Sequence, residues 1–571
     1  MNSSSSKPEI DDLLKIYEFC NSKSFNFNKK VYGFLVESTA PINVGDKNHD
    51  KIRFHCWENY FPKDEVRDSK INVTSNKIAK VAEILNDSED PEIVVRIHGY
   101  STSEEDVIKS YYGMINDINE LQKSNPNKTF IFLGYRWPSE APNINNIFKA
   151  LPTLPRLFLF GSAILIFISV GSLSFELFDK ISLPLFILFS PIIFFALFGL
   201  LFSTILTLIL LRCTAYFRDS FRATNYAVPD LVELIRNLDQ NVLDINNKNN
   251  STKKKDYHKN KLKLSFIAHS MGSYVTTNTV RILSDVFTDR SIKGEPGRNI
   301  GNVFALERLI LVAPDIPVET IIPRRANFLQ SSLRRFKESY IFSNEGDVIL
   351  RILSTAANYF SFPGSDRFSG YRLGNLTVRH CKAKLNYGVV NLNVLNNKEQ
   401  FDCLEWLEVR SSDKSYDQEN RILKDFLNLN NSRPETFSKA RSITNKFTYF
   451  DCTDYEDCTK NANPKVHPVG LALKKKALNF LDYVWLFIKH VFFHEIDTHG
   501  GYFEEKFSKE LISKLAFLGF DGLIGVHSHK EQQPSQLLTH FDELCKKNQI
   551  QVVLSPDRYE EILATNVKRD S

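Results

Sequence analysis

The stretch Leu264-Ser265-Phe266-Ile267-Ala268-His269-Ser270-Met271-Gly272-Ser273 decides how the rest of this chain is read. Its first half is an apolar run of β type and its second half opens a helical pattern, so the backbone has to turn sharply at Ser270. A serine hydroxyl becomes a nucleophile only where such a corner holds it near a base and near backbone N–H groups that can receive an oxyanion. Small residues two positions either side ease the turn. Gly272 meets that need, and Ala268 is a slightly bulkier replacement for glycine. A serine in the first turn of a helix also has a plain structural use as a cap, and the pentapeptide alone does not separate the two.

The surrounding motifs bear on that choice. Residues 92–97 read as a buried strand ending in His98-Gly99-Tyr100, with a helix opening at 101–105. A strand over 129–136 ends in Trp137-Pro138-Ser139, one over 306–313 ends in Ala313-Pro314-Asp315, and further strands are expected at 338–343 and 446–452. Helices are expected over 219–238 and 272–287. This alternation predicts an α/β protein whose mostly parallel sheet is covered on both faces, with 31–38 and 51–57 as an antiparallel edge. His98 reads as a structural histidine whose ring bonds the neighbouring loop.

Ile97-His98-Gly99-Tyr100, Trp137-Pro138-Ser139, the Ala268-to-Gly272 elbow and Ala313-Pro314-Asp315 together resemble a bacterial family of α/β-hydrolases of unknown function. The resemblance spans about residues 90 to 350 and the loop around His499. It implies an α/β-hydrolase fold and a Ser-Asp-His site, without naming a substrate.

A hydrolase serine needs a histidine base, and the base needs a carboxylate that holds its tautomer; in this fold the order along the chain is serine, acid, histidine. Ser270 is the candidate nucleophile. Asp347 is the candidate acid, because it follows a strand-turn two strands beyond the elbow. Asp315 is the reserve, with a helix N-cap as its structural alternative. His499, in a Gly-containing loop before a helix, is the candidate base; His494 is held in reserve and His490 competes, both within an apolar helix pattern. The backbone N–H groups of Met271 and Tyr100 are the expected oxyanion donors. Asp451 and Asp454 are expected to orient loops, and His527 and His529 to lie in a surface loop. No cofactor or metal is called for.

Two apolar segments change the class of the protein. Residues 157–178 carry one charge, Glu176, and 182–211 carry none. At ~1.5 Å per residue either crosses a hydrocarbon layer of ~30 Å. Only Asp179-Lys180-Ile181 connects them, so the expected form is a transmembrane hairpin with spans near 157–178 and 184–211. Lys149, Arg156, Arg212, Arg218 and Arg222 flank it, and the positive-inside rule places the hydrolase domain and both termini in the cytoplasm. The eight cysteines show no metal or disulfide spacing, which agrees with a reducing compartment; Cys452 and Cys458 form no motif.

A net charge of +5 from 72 basic and 67 acidic residues gives no case for nucleic acid as a partner. The expected organisation is a polar segment (1–30), a first hydrolase part (31–150), the hairpin (151–215), a second hydrolase part with the elbow (216–354), an insertion of opaque pattern (355–442), a last strand with a lid-like apolar helix over 477–493 and the histidine loop (443–518), and a C-terminal extension (519–571) with a helix at 534–547 and a strand at 550–554. The function this predicts is a membrane-anchored serine hydrolase, esterase- or lipase-like rather than a peptidase, acting on an acyl or ester bond with the bilayer as its partner. The alternative is a non-catalytic, membrane-tethered interaction module on the same fold.

Overall fold

The computed structural model describes residues 14–20, 28–40, 57, 60–61, 73–139, 160–161, 164, 212–248, 254–284, 297–317, 320, 327–354, 372–378, 388–389, 407–408, 443–457, 478, 480–490, 496–525, 534–555 and 558. The spans proposed for the hairpin, apart from residues 160–161 and 164, the strand over 51–56, most of 355–442, His494, His527 and His529 lie outside these. Among the described residues no helix is long and apolar enough to cross a membrane.

The strands are β1 (Lys15–Glu18), β2 (Val31–Glu37), β3 (Pro91–Ile97), β4 (Thr129–Arg136), β5 (Leu262–His269), β6 (Phe304–Val312), β7 (Glu338–Ser343), β8 (Phe447–Asp451) and β9 (Gln551–Val553). They form one sheet in the order β1-β2-β4-β3-β5-β6-β7-β8-β9, with Gly388–Val389 beyond β9. From β2 to β8 every neighbouring pair is parallel. The antiparallel edge differs from the sequence expectation. It is made by β1, inside the segment read as merely polar, pairing with β2; β2 itself lies parallel to β4, and Trp57 is helical. A second antiparallel pair, β8 with β9, closes the other side.

Both faces of the sheet are apolar, as a crossover-connected parallel sheet requires. Ile93, Val95 and Ile97 of β3 and Phe266 of β5 join one buried cluster, whereas Val94 and Ile267 join the other, following the period of two along a strand. The first face is covered by α1 (Val73–Asp87), α3 (Val228–Lys248) and α4 (Met271–Leu283). The second is covered by α2 (Glu104–Lys123) and α7 (Lys506–Ile524). α5 (Asn327–Arg334) packs on α4, α6 (Phe480–Ile488) follows β8, and α8 (Pro534–Lys547) precedes β9. α1 buries Ile78, Val81, Ala82 and Leu85, an i, i+3, i+4, i+7 stripe. α6 leaves Leu481 and Trp485 in solvent, while Leu486 packs on Val348.

All these crossovers leave the carboxyl ends of β3, β5, β6 and β7 side by side, where ligands bind in sheets of this kind.

Candidate functional site

Ser270 stands between β5 and α4 with φ 52° and ψ −124°, a conformation that an L side chain adopts only under constraint, at about 1–3 kcal/mol. Three backbone bonds hold it there. Its N–H donates to Val312 O (3.0 Å), and its carbonyl accepts from Ser273 N (3.0 Å) and Asp315 N (3.1 Å). The hydroxyl does not cap α4, which removes the structural alternative for this serine, and Oγ is buried without a hydrogen-bond partner.

The corner needs two glycines for reasons of space. A Cβ on Gly272 would lie 2.6 Å from His98 O and 2.7 Å from Ile97 O; one on Gly99 would lie 2.8 Å from Ser270 Cβ and 3.3 Å from its Oγ. The loop after β3 is thus pressed against the elbow, which puts Tyr100 and Met271 on the two backbones that meet there. That loop is tied to the end of β4. His98 Nδ1 donates to Gly99 O (2.7 Å), its Nε2 accepts from Trp137 N (3.2 Å), and its ring stacks on Trp137 with centroids 5.4 Å apart. Ser139 Oγ donates to Gly99 O (2.9 Å) and accepts from Thr102 N (3.2 Å). Burial pushes His98 down to about 3, so it is a neutral brace. Ser101, also at positive φ (54°), donates its N–H to Asp219 (3.1 Å).

Asp347 and His499 are 152 residues apart in sequence, and their side chains meet: His499 Nδ1 lies 2.7 Å from Asp347 Oδ2. The other carboxylate oxygen accepts from Leu350 N (3.0 Å). Asp347 is fully buried, and that burial pushes its carboxyl above the usual range even against the pull of the imidazole. Burial alone would lower His499, but the Asp347 carboxylate and its hydrogen bond outweigh it and hold the ring above the ordinary histidine value. With Nδ1 committed, Nε2 is the end free to exchange a proton, and it has no partner. The turn carrying the ring is shaped by Asp497, whose Oδ1 accepts from His499 N (3.1 Å) and Gly500 N (2.8 Å).

His269 is a contributor the sequence reading passed over. The residue just before Ser270 donates through Nε2 to His499 O (2.8 Å), so the end of β5 fixes both the serine and the histidine loop. Its place inside the elbow motif was the available signal. Burial keeps it uncharged.

The reserve candidates are placed differently. Asp315 is buried with its carboxylate 3.0 Å from Arg372 Nε and accepting from Tyr216 Oη (3.0 Å); among the described residues it bonds no imidazole. His490 Nδ1 lies 3.1 Å from Ile496 O. Asp451 bonds Thr377 (2.6 Å) and Thr453, a loop-orienting role. Tyr100 is nearly buried, its ring 6.4 Å from that of His499.

A cavity of about 1040 Å³ opens beside these groups, lined among others by Arg96, Tyr100, His269, His499 and Phe503. Among the described residues no cluster of three His, Cys, Asp or Glu side chains suits a metal ion, and Cys213, Cys452 and Cys545 are free thiols.

A mostly parallel sheet with a strained serine corner after its fifth strand defines an α/β-hydrolase fold. In agreement, residues 247–395 match the model of a family described as "Alpha/beta hydrolase of unknown function (DUF900)". No curated protein and no solved structure matches the chain.

Proposed function

We propose that this protein is a membrane-anchored serine hydrolase that cleaves an ester or other acyl bond. One observation carries the reading: the Asp347–His499 pair leaves His499 Nε2 open, at the same sheet edge where Ser270 Oγ is held on a strained corner with no partner of its own. Ser270 Oγ attacks the acyl carbonyl while His499 Nε2 takes its proton. Asp347 holds the imidazole in the tautomer that can accept it and steadies the imidazolium. The N–H groups of Met271 and Tyr100 receive the developing oxyanion. His499 then returns the proton to the departing alkoxide, and a water deprotonated by the same ring releases the acid.

The hairpin over 151–215 anchors the chain in a bilayer, with the catalytic domain and both termini on the cytoplasmic side and an acyl or lipid-like substrate drawn from that surface. Support comes from the apolar sequence, from the basic residues beside it, and from its insertion after Ser139, a residue that braces the Gly99 loop.

A fluorophosphonate probe should label the full chain, and Ser270→Ala should not be labelled. Failure to label a folded wild-type protein would leave the non-catalytic interaction module. Equal turnover of short water-soluble esters with and without 151–215 would count against the bilayer-substrate part alone.

A further inference from the structure

The cavity beside His499 holds a cation that the chemistry above does not use. Arg96, the penultimate residue of β3, is 4 % exposed and lines this space. Its Nη1 donates to Ser110 O (3.2 Å) and its Nη2 to Ser110 Oγ (2.8 Å), whereas Nε has no partner. Its guanidinium lies 3.9 Å over the Phe503 ring and 5.1 Å from that of Tyr111.

Four other arginines buried to a similar degree are neutralised. Arg136 pairs with Glu37 (2.6 Å), Arg308 with Glu92 (3.1 Å), Arg372 with Asp315 (3.0 Å) and Arg558 with Glu338 (3.2 Å). Among the described residues Arg96 has no such carboxylate. Asp117 is near enough to favour its charge but bonds Lys509 (3.0 Å). Three acids among the described residues line the cavity: Asp106 accepts from Ser103, Asp497 accepts from its own turn, and Glu504 makes no ion pair with Arg96. Burial draws Arg96 down only to about 10, so it is a cation at neutral pH. A ring face offsets part of the cost of burying an unpaired charge, not all of it. An anion entering the cavity would supply the rest.

We propose that Arg96 recognises an anionic group, carboxylate or phosphate, on the non-reacting part of the substrate. Phe503 and His269 connect this subsite to His499, since Phe503 stacks edge-on to His269 (5.4 Å) and His269 lies 5.0 Å from the His499 ring. The proposal rests on the serine-hydrolase reading and narrows its substrate class to acyl compounds bearing a negative charge.

The test is protection of Ser270 from a neutral fluorophosphonate in the full chain held in non-ionic detergent. Hexanoate is compared with hexanamide, and hexyl phosphate with hexanol. The wild type should be protected at about 30-fold lower concentration by one or both anions than by the neutral partner; the anion that protects identifies the group. In Arg96→Met that ratio should fall to near one, and in Arg96→Lys to an intermediate value. Equal protection by charged and neutral compounds in the wild type overturns the proposal even if the methionine variant does not fold. So does a preference that survives in Arg96→Met. Absence of labelling in the wild type instead strikes the serine-hydrolase reading, a separate outcome.

Discussion

The two halves of the candidate site are held in different ways. Ser270, Gly99 and Gly272 sit at the ends of adjacent central strands, β5 and β3, whose register is set by consecutive pairs from Glu92–Lys263 to Ile97–Ala268. Their mutual contacts are backbone contacts and close approaches. Asp347 and His499 are carried by loops and joined by one side-chain hydrogen bond. The nucleophile half is therefore part of the sheet, and the acid–base half is laid over it. Ser270 Oγ and His499 Nε2 are unbonded here; in the proposed mechanism their bond forms in the complex, as catalytic bonds often tighten only there.

The largest expected effect falls on the sheet-borne half. Ser270→Ala should lower turnover by about 10⁴-fold or more and abolish probe labelling, because the remaining groups have no nucleophile to serve. Persistent labelling at another residue would place the chemistry elsewhere. On the loop half, Asp347→Asn should cost about 10³- to 10⁴-fold by losing the correct tautomer.

That variant also carries a pH signature. Catalysis needs neutral His499, whose pKa in the folded protein is held above the ordinary value, so activity should rise with pH through a midpoint above about 6.5. With the Asp347 carboxylate gone, burial is opposed only by Asp497 and Asp315, and the midpoint should move downward. Because the folded pKa of His499 is raised, its contribution to stability is present below about 6.5 and is lost as pH rises through the higher value. A pH–rate profile whose midpoint does not move in Asp347→Asn would break the assigned pairing.

Gly99→Ala sharpens the comparison from the sheet side. The new methyl would meet Ser270 Cβ at 2.8 Å, so the loop carrying Tyr100 N–H must retreat from the elbow. A loss of about 10²- to 10³-fold in kcat is expected, the scale of one missing oxyanion donor. Wild-type kcat in this variant would show that the Tyr100 backbone is not a donor.

What the sequence showed and what it hid divide along the same line. The elbow, the Ile97-to-Tyr100 turn and Trp137-Pro138-Ser139 are local signals, strands that end in turns, and the structure explains the third as a brace for the second through Ser139 and His98. Asp347 and His499 were approachable only through the order in which this fold places its groups, since no local pattern marks a carboxylate that will meet a ring 152 residues later. β1 was missed because a four-residue strand in an otherwise polar segment is fixed only by its pairing with β2. α1 carries a helical stripe, yet it follows a stretch rich in Asp, Asn and Lys that reads as loop. His269 and Arg96 were hidden for a further reason. Each looks like an ordinary strand residue until the 497–503 turn packs across it.

The smallest effect on rate is expected at Asp315, the other acid near the elbow. Its backbone N–H bonds Ser270 O, but its carboxylate is engaged by Arg372 and Tyr216. Asp315→Asn keeps the N–H and the side-chain shape while leaving Arg372 as an uncompensated buried cation. Stability should fall by about 3–5 kcal/mol, as breaking a buried pair does, with kcat lowered less than tenfold in the protein that remains folded. Thermal unfolding and single-turnover rates on the same preparation separate the two. Were Asp315→Asn to match Asp347→Asn in rate loss while losing little stability, the acid would have been assigned to the wrong loop. The partner of His499 would then have to be reached by a rearrangement of the loop half.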